Sequence, residues 1–153
     1  MRQKLGFILT SLGVVFGAAM LTSNVYAQEG TKILDDSGIY KEFGEKEGLV
    51  RIIDDFMANL LKDPRTKPSF ENMDQQRIKE QLVDQFCFIP NGPCEYKGAK
   101  MKSIHANAGI NRENFNALVE QLQFSMDKNN VPFRAQNKLL AVLAPMHRDI
   151  VTK

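Results

Sequence analysis

The sequence predicts an all-α fold, and three observations carry that prediction. Apolar residues recur at helical spacing in several stretches, most clearly between residues 49 and 61. Glycine, proline and asparagine separate these stretches, as is typical of helix ends and turns. No stretch alternates apolar and polar residues in the way of a half-buried strand. We therefore expect one helical domain without a β-sheet.

The first 27 residues are predicted to be a secretory signal peptide and not part of that domain. Arg2 and Lys4 give a basic start, residues 5–20 are almost all apolar or small, and Ala27 ends a small-residue cleavage pattern. The apolar run is shorter than the roughly 20 residues of a membrane-spanning helix, which favours cleavage over an uncleaved anchor. We therefore expect a periplasmic or secreted protein with no membrane attachment after cleavage.

Cleavage after Ala27 would leave 126 of the 153 residues and remove the formal net charge of +2. That length suits a single domain with one core. A near-neutral chain gives no support for binding to nucleic acid or to an anionic membrane. We expect residues 28–37 to form a flexible lead-in and residues 38–153 to form the domain.

The helices of the domain can be placed in chain order. The N-terminal half is predicted to hold a short helix over 39–43, a helix over 49–61, a connecting corner over 66–73 and a helix over 74–88. In the C-terminal half, a short helix carries His105 and ends at Gly109, and Asn111 caps the helix that follows. The last helix begins at residues 131–132, and Pro145 is expected to kink it.

His105 is one of only two histidines, and a lone histidine on a helix is more often a hydrogen-bonded structural residue than a metal ligand. Its sequence context favours the ligand. His105 lies in the stretch Met101-Lys-Ser-Ile-His-Ala-Asn-Ala-Gly-Ile110. Upstream come Phe70, the apolar row Ile78, Leu82 and Phe86, and then Gly92-Pro93 and Tyr96-Lys97-Gly98.

Taken together, these residues resemble a truncated haemoglobin of the first group over about residues 38–151. In that family the Met-Lys-x-x-His-x-x-x-Gly-Ile stretch carries the proximal haem ligand. Asn91 stands in for the first glycine of the family's Gly-Gly-Pro turn, and because asparagine tolerates left-handed backbone we expect the turn to be kept. The resemblance implies a globin-like, two-over-two helical sandwich that holds b-type haem. It also implies that His105 coordinates the iron through Nε2 while a backbone carbonyl holds its Nδ1–H.

The resemblance further implies a set of haem contacts. Phe70 matches a haem-stacking phenylalanine, and Ile78, Leu82 and Phe86 share a helix face that would look onto the distal side. Met57 falls where the family usually has a tyrosine that donates to bound oxygen, and Leu82 falls where a glutamine is common. The remaining predicted contacts are Met101, Ile110 and Phe115. The alternative is that these apolar residues are simply core, and a register shifted by one would bring Arg77 and Gln81 inward.

Two cysteines, Cys87 and Cys94, lie seven positions apart. In an exported protein a disulfide is the default, and closing this loop would contribute about 2–3 kcal/mol; two buried free thiols are the alternative. The chain has no Cys-x-x-Cys-His, so c-type attachment of haem is excluded. His147 is expected to be a surface or cap histidine, although some cyanobacterial relatives attach a haem vinyl group to a histidine of this helix.

The function implied by the resemblance is binding of a diatomic gas, O2, NO or CO, at a haem iron. An enzymatic use of the same haem is the alternative: NO dioxygenation or peroxidase-like detoxification, with an unknown external electron donor. A non-haem helical adaptor with an apolar groove is a third reading, but it leaves the spacing around His105 unexplained. Without a polar donor at Met57 or Leu82, we expect O2 to be held weakly.

Overall fold

The computed structural model describes residue 34 and residues 36–153; the predicted signal peptide and most of the lead-in lie outside the described residues. Residues 36–153 form helices joined by turns and loops, with no strand among them, which confirms the all-α prediction. Within this part of the chain, no helix is both long enough and apolar enough to cross a membrane.

The N-terminal half contains four helices: α1 (Ser37–Glu42), α2 (Glu45–Leu60), α3 (Lys67–Phe70) and α4 (Gln75–Phe88). The predicted corner therefore contains a one-turn helix. The turn from α1 to α2 has left-handed backbone at Gly44 and Glu45, with φ of 74° and 56°. Gly48 lets α1 and α2 approach closely, because a Cβ there would lie 2.0 Å from the Phe43 carbonyl oxygen.

The C-terminal half contains α5 (Met101–His105), α6 (Arg112–Lys128), α7 (Phe133–Leu143), a 3₁₀ turn over Ala144–Met146, and α8 (His147–Ile150). The Asn111 side-chain oxygen accepts from the Asn114 amide, and the Asn114 side-chain oxygen accepts from the Asn111 amide, so the predicted cap is confirmed as a capping box. α5 ends at His105, four residues before the Gly109 predicted to close it, and Gly109 has left-handed backbone, with φ of 62°, in the loop that follows.

The core lies where α2 packs against both α4 and α6. The periodicity predicted for α2 is confirmed, because its buried stripe consists of Leu49, Ile52, Ile53, Phe56, Met57 and Leu60, together with Gly48. α6 and α7 add Leu122, Met126, Leu139 and Val142 to the same cluster. α2 thus packs against both α4 and α6, and α7 joins the same core, as in the predicted two-over-two helical sandwich.

A polar network ties the corner between α2 and α3 to α6. Arg65 Nη2 lies 2.6 Å from both Asp63 Oδ2 and Glu120 Oε2, and Gln121 Nε2 donates to Asp63 Oδ2 at 2.7 Å. The Arg65 guanidinium, helped by the Arg65 amide and Gln121, holds the pKa of Asp63 well below its usual range. We call these four residues the corner network.

The last helix breaks where Pro145 was expected to kink it. Pro145 has no amide hydrogen, and the chain passes through a 3₁₀ turn before resuming as α8. The redirected α8 packs against α5. Beyond it, the amides of Thr152 and Lys153 donate to the Ile110 carbonyl at 2.9 and 3.2 Å, which fixes the loop that follows α5.

Candidate functional site

Seven of the nine residues predicted to contact haem or bind its iron fall on two walls. The apolar wall consists of Met57 on α2 and of Ile78, Leu82 and Phe86 on α4. The histidine wall consists of Met101 and His105 on α5 and of Ile110 just beyond it. α4 packs on α2, whereas α5 packs on α8. The two walls therefore belong to separate packing units, joined by residues 89–100.

The apolar wall carries no hydrogen-bond donor on its four side chains. Phe86 is 3% exposed and belongs to the main core, and Leu82 packs against that core from a half-buried position. Met57 is 4% exposed yet lies outside the main core cluster. Ile78 is half-buried, while Arg77 and Gln81 on the neighbouring face of α4 are exposed. The face presented is thus apolar along its length.

Phe70 lies next to this wall at the end of α3 and packs, half-buried, against the core. The tyrosines of the described residues lie elsewhere. Tyr40 contacts the turn at Gly92, where a Cβ would come within 2.8 Å of its ring, and the Tyr96 ring lies 6.5 Å from that of Phe88. No described tyrosine is on α2, so Met57 has no neighbouring phenol in its helix.

The geometry of His105 determines which ring nitrogen is available to a ligand. Its Nδ1 lies 2.8 Å from the Met101 carbonyl oxygen, one turn earlier in α5. A carbonyl oxygen only accepts, so Nδ1 carries the hydrogen, and in the neutral ring Nε2 has the free lone pair. The ring is half-buried on a helix that has no buried residue. The Nε2 atom of His105 is therefore the ring nitrogen that is available to bind a metal.

The described residues contain no group of three or more His, Cys, Asp or Glu side chains able to hold a metal ion. A metal on His105 would need its other ligands from elsewhere. A planar macrocycle that already supplies four nitrogens meets that need, and the apolar wall suits its hydrophobic faces. The donor set and the lining thus fit haem better than a bare ion.

His147 was expected to be a surface or cap histidine, and it is the C-cap residue of the 3₁₀ turn, so the cap part of the expectation is confirmed. It is half-buried, and its ring stands perpendicular to that of Phe115, with 5.0 Å between the ring centroids. This ring contact keeps His147 from being a fully exposed surface residue. Phe115, predicted as a haem contact, is 9% exposed and packs against His147.

One buried polar residue of α4 was missed. Gln85 is 4% exposed, and its Nε2 lies 3.9 Å from the sulfur of Met146. Helical periodicity gives no signal for it, because a glutamine beside an apolar row is assigned to the solvent face. Its partner follows the break in the last helix, so the contact depends on a turn direction that local sequence does not specify.

A cleft of about 460 Å³ lies away from both walls. It is lined by residues of the α2–α3 corner and of α6: Asn59, Lys62, Asp63, Pro64, Arg65 and Gln121. None of the predicted site residues lines it. Three of its lining residues, Asp63, Arg65 and Gln121, belong to the corner network, which joins α6 to the corner.

The connection between the walls contains the predicted disulfide. Cys87 at the end of α4 is bonded to Cys94, with 5.8 Å between their Cα atoms, and the free-thiol alternative is excluded in this structure. Asn91 adopts the left-handed backbone expected of it, with φ of 59°. A Cβ at Gly92 would lie 2.8 Å from the Cys87 sulfur, so the turn packs directly on the disulfide.

Comparison with known proteins points to one family. The family model described as bacterial-like globin matches residues 38–152. The group 1 truncated haemoglobin of Tetrahymena pyriformis is 25% identical over 115 residues, covering 75% of this chain and 95% of that protein. The group 1 truncated haemoglobin of Synechocystis sp. is 29% identical over 125 residues, covering 76% of this chain and 99% of that protein. The crystal structure of the T. pyriformis protein in its Fe(III) form matches with a TM-score of 0.70 at 25% identity, covering 75% of this chain and 98% of that one.

Variant structures of the T. pyriformis protein bear on the apolar wall. They replace one tyrosine and two glutamines, and that tyrosine precedes the glutamines by 21 and 25 residues. In the present chain Met57 precedes Ile78 by 21 residues and Leu82 by 25. Three apolar residues of this chain, Met57, Ile78 and Leu82, thus have the same spacing as one tyrosine and two glutamines of the T. pyriformis protein.

Proposed function

This chain belongs to the bacterial-like globin family, and from that membership we propose that it binds b-type haem on the apolar and histidine walls, with His105 as the iron ligand. The observation that carries the proposal is the hydrogen bond between His105 Nδ1 and the Met101 carbonyl, which leaves Nε2 as the donor nitrogen. When bound, haem supplies an iron that takes a diatomic gas, O2, NO or CO, as its further ligand.

The side chains of the two walls have distinct roles in this proposal. His105 fixes the iron, and Met101, Ile110 and Phe70 provide apolar contact for the macrocycle. Ile78, Leu82 and Phe86, with Met57, surround the gas and exclude water. Because these residues are half-buried or buried and carry no charge, their contribution is dispersion and hydrophobic contact, not hydrogen bonding.

The absence of a donor from the apolar wall sets the preference among gases. O2 gains negative charge when it binds iron and is stabilised by about 1.5–3 kcal/mol by a hydrogen bond, whereas CO gains little charge. The 21- and 25-residue spacing supports the assignment of Met57, Ile78 and Leu82 to positions that are polar in the T. pyriformis protein. We therefore infer fast O2 release and relatively favoured CO and NO. NO dioxygenation needs long-lived O2 binding and an external electron donor, so it is the less favoured use.

An absorption spectrum of the purified mature protein tests the proposal. We expect a strong Soret band that shifts with CO. His105→Ala should lose most bound haem, whereas the matched control His147→Ala should keep it, because His147 packs on Phe115 and is not required as a ligand. Equal haem loss in both variants would mean that the assignment of His105 as the proximal ligand is wrong. A protein that takes up no haem when haem is supplied in excess would favour the adaptor reading.

We also propose that the protein is exported and acts in the periplasm or outside the cell. The basic, apolar and small-residue pattern of residues 1–27 supports this, and so does the Cys87–Cys94 disulfide, since such bonds persist in oxidising compartments. N-terminal sequencing of the protein from an expressing cell should begin at Gln28. A mature N-terminus at Met1 would contradict export by cleavage.

A further inference from the structure

The segment that leads into the histidine wall is held by few contacts. None of residues 93–105 is buried. The amides of residues 94–100 donate no hydrogen bond within the described part of the chain. The segment has no regular structure before α5 begins at Met101. Its position must therefore be fixed by contacts at a few points, and not by a hydrogen-bonded ladder or by burial.

The disulfide is the strongest of these contacts. Cys87 is fully buried in α4, directly after Phe86 of the apolar wall. Cys94 is the only residue of 93–100 that packs against the main core. Beyond it, the Tyr96 ring lies 6.5 Å from Phe88, a contact between two half-buried rings. A covalent bond thus links the end of the apolar wall to the segment that leads to His105.

We propose that the Cys87–Cys94 disulfide is a positioning element for His105: it fixes the histidine wall relative to the apolar wall. The haem-related part of this inference rests on the proposed function, and its structural part does not. Without the bond, the chain between Ile89, which is fully buried, and α5 would have only the turn at Asn91–Gly92 and the Tyr96 contact to locate it. His105 would then sample positions relative to α4 in which its Nε2 could not bind the haem iron.

The histidine wall is held by different contacts before and after α5. On the far side, α5 packs on α8, and the Thr152 and Lys153 amides hold the Ile110 carbonyl. On the near side, only the disulfide reaches the core. Loss of the bond should therefore loosen the entry to α5 while its exit stays in place, so the expected change is confined to residues 94–106.

The test compares four samples of the mature protein. They are the oxidised wild type, the wild type treated with a dithiol, the variant Cys87→Ala/Cys94→Ala, and Leu140→Ala. The dithiol gives two electrons and two protons to the disulfide and becomes a cyclic disulfide itself, leaving two thiols on the protein. Leu140→Ala is the matched control, because it removes a half-buried side chain of α7 that packs on the same core far from the segment in sequence.

The first measurement needs no haem. In the haem-free protein, ¹⁵N relaxation should show order parameters for residues 95–106 falling below about 0.6 once the bond is lost. The amides of Ser103 and Ile104, which both donate to the Lys100 carbonyl, should exchange faster. Leu140→Ala should leave the order parameters and the exchange rates unchanged, even if it lowers the melting temperature as much as loss of the disulfide does. Equal loosening in Leu140→Ala, or none on loss of the disulfide, would overturn the inference.

The second measurement uses the haem-loaded protein. Transfer of haem to an excess of an acceptor apoglobin should be about tenfold faster without the disulfide, and the iron–histidine stretching band in the Raman spectrum should broaden. Reoxidation of the dithiol-treated sample should restore both values. Unchanged haem transfer and an unchanged band would overturn the positioning role. A wild type that takes up no haem would refute the proposed function, and the relaxation measurement would still decide the inference.

Discussion

The two walls of the candidate site are built in opposite ways. The apolar wall is part of the core: α4 packs along α2, and Phe86 and Met57 are almost fully buried. The histidine wall consists of a five-residue helix with no buried residue and of Ile110 beyond it. It is reached through a segment whose amides donate no hydrogen bond, and the amides of Thr152 and Lys153 hold its far end. One wall is held by continuous packing, and the other by a disulfide and a few terminal contacts.

The difference separates the parts of the molecule that determine stability from those that determine function. Burial and packing make the free energy of unfolding sensitive to the apolar wall, whereas the histidine wall contributes little burial. The histidine wall nevertheless carries the only side chain proposed to bind iron. Substitutions should therefore divide into those that unfold the protein and those that release its haem, according to the wall they touch.

The largest expected effect is on the free energy of unfolding at the apolar wall. Phe86→Ala should cost about 3–5 kcal/mol, because it leaves a cavity in the core. Ile104→Ala on α5, which is 53% exposed, should stay within about 0.5 kcal/mol of the wild type. Urea unfolding of the haem-free proteins measures both. Similar losses for the two variants would mean that the walls are packed alike.

A second prediction concerns the chemistry of the apolar wall. Met57→Tyr should slow O2 release by roughly 10- to 100-fold, the kinetic equivalent of a hydrogen bond of about 1.5–3 kcal/mol, and should change CO release far less. Met57→Phe is the control, since it adds the ring without the hydroxyl. Stopped-flow displacement measures all three proteins. If the wild type already releases O2 as slowly as Met57→Tyr, another donor reaches the ligand, and NO dioxygenation becomes the better assignment.

The corner network should make the packed half of the molecule sensitive to acid. The pKa of Asp63 is lowered in the folded state, so its stabilising effect is present above its unfolded pKa of about 3.9 and is lost as the pH falls through the lower folded value. Asp63→Asn should therefore reduce stability at pH 6, and its difference from the wild type should shrink below about pH 4.

Urea unfolding between pH 2 and pH 7 measures this dependence. Asp54→Asn is the matched control, because Asp54 is a 54% exposed carboxylate whose ion pair with Lys79 lies on the surface. A constant difference between Asp63→Asn and the wild type across that range would show that the network acts through neutral hydrogen bonds and not through charge.

The smallest effect is expected in the connecting segment. Lys97 and Glu95 form an ion pair at 2.7 Å, but both side chains are more than three-quarters exposed. Lys97→Ala should therefore change neither haem transfer nor, by more than about 0.5 kcal/mol, stability. If Lys97→Ala released haem as fast as the variant without cysteines, the segment would be held by charge and not by the disulfide.

Local patterns were sufficient for much of the fold. The α2 stripe, the Asn111 cap, the left-handed Asn91 and the disulfide each depend on residues close together in the sequence, and each was predicted. The contacts that were missed join distant residues. Arg65 and Glu120 are 55 positions apart, and the rings of Phe115 and His147 meet from two different helices. The one-turn helix α3 was missed because four residues are too few to show a period.

Because the amides of Thr152 and Lys153 donate to the Ile110 carbonyl, the histidine wall depends on residues more than 40 positions further along the chain. A chain emerges from the ribosome N-terminus first, and the contacts of a domain form as their partners become available. When synthesis has reached α7, His105 has long been made, but α8 and the two residues that hold Ile110 have not. The histidine wall can therefore close only once residues 152–153 have been made, whereas α2 and α4, which pack together at the apolar wall, are available much earlier.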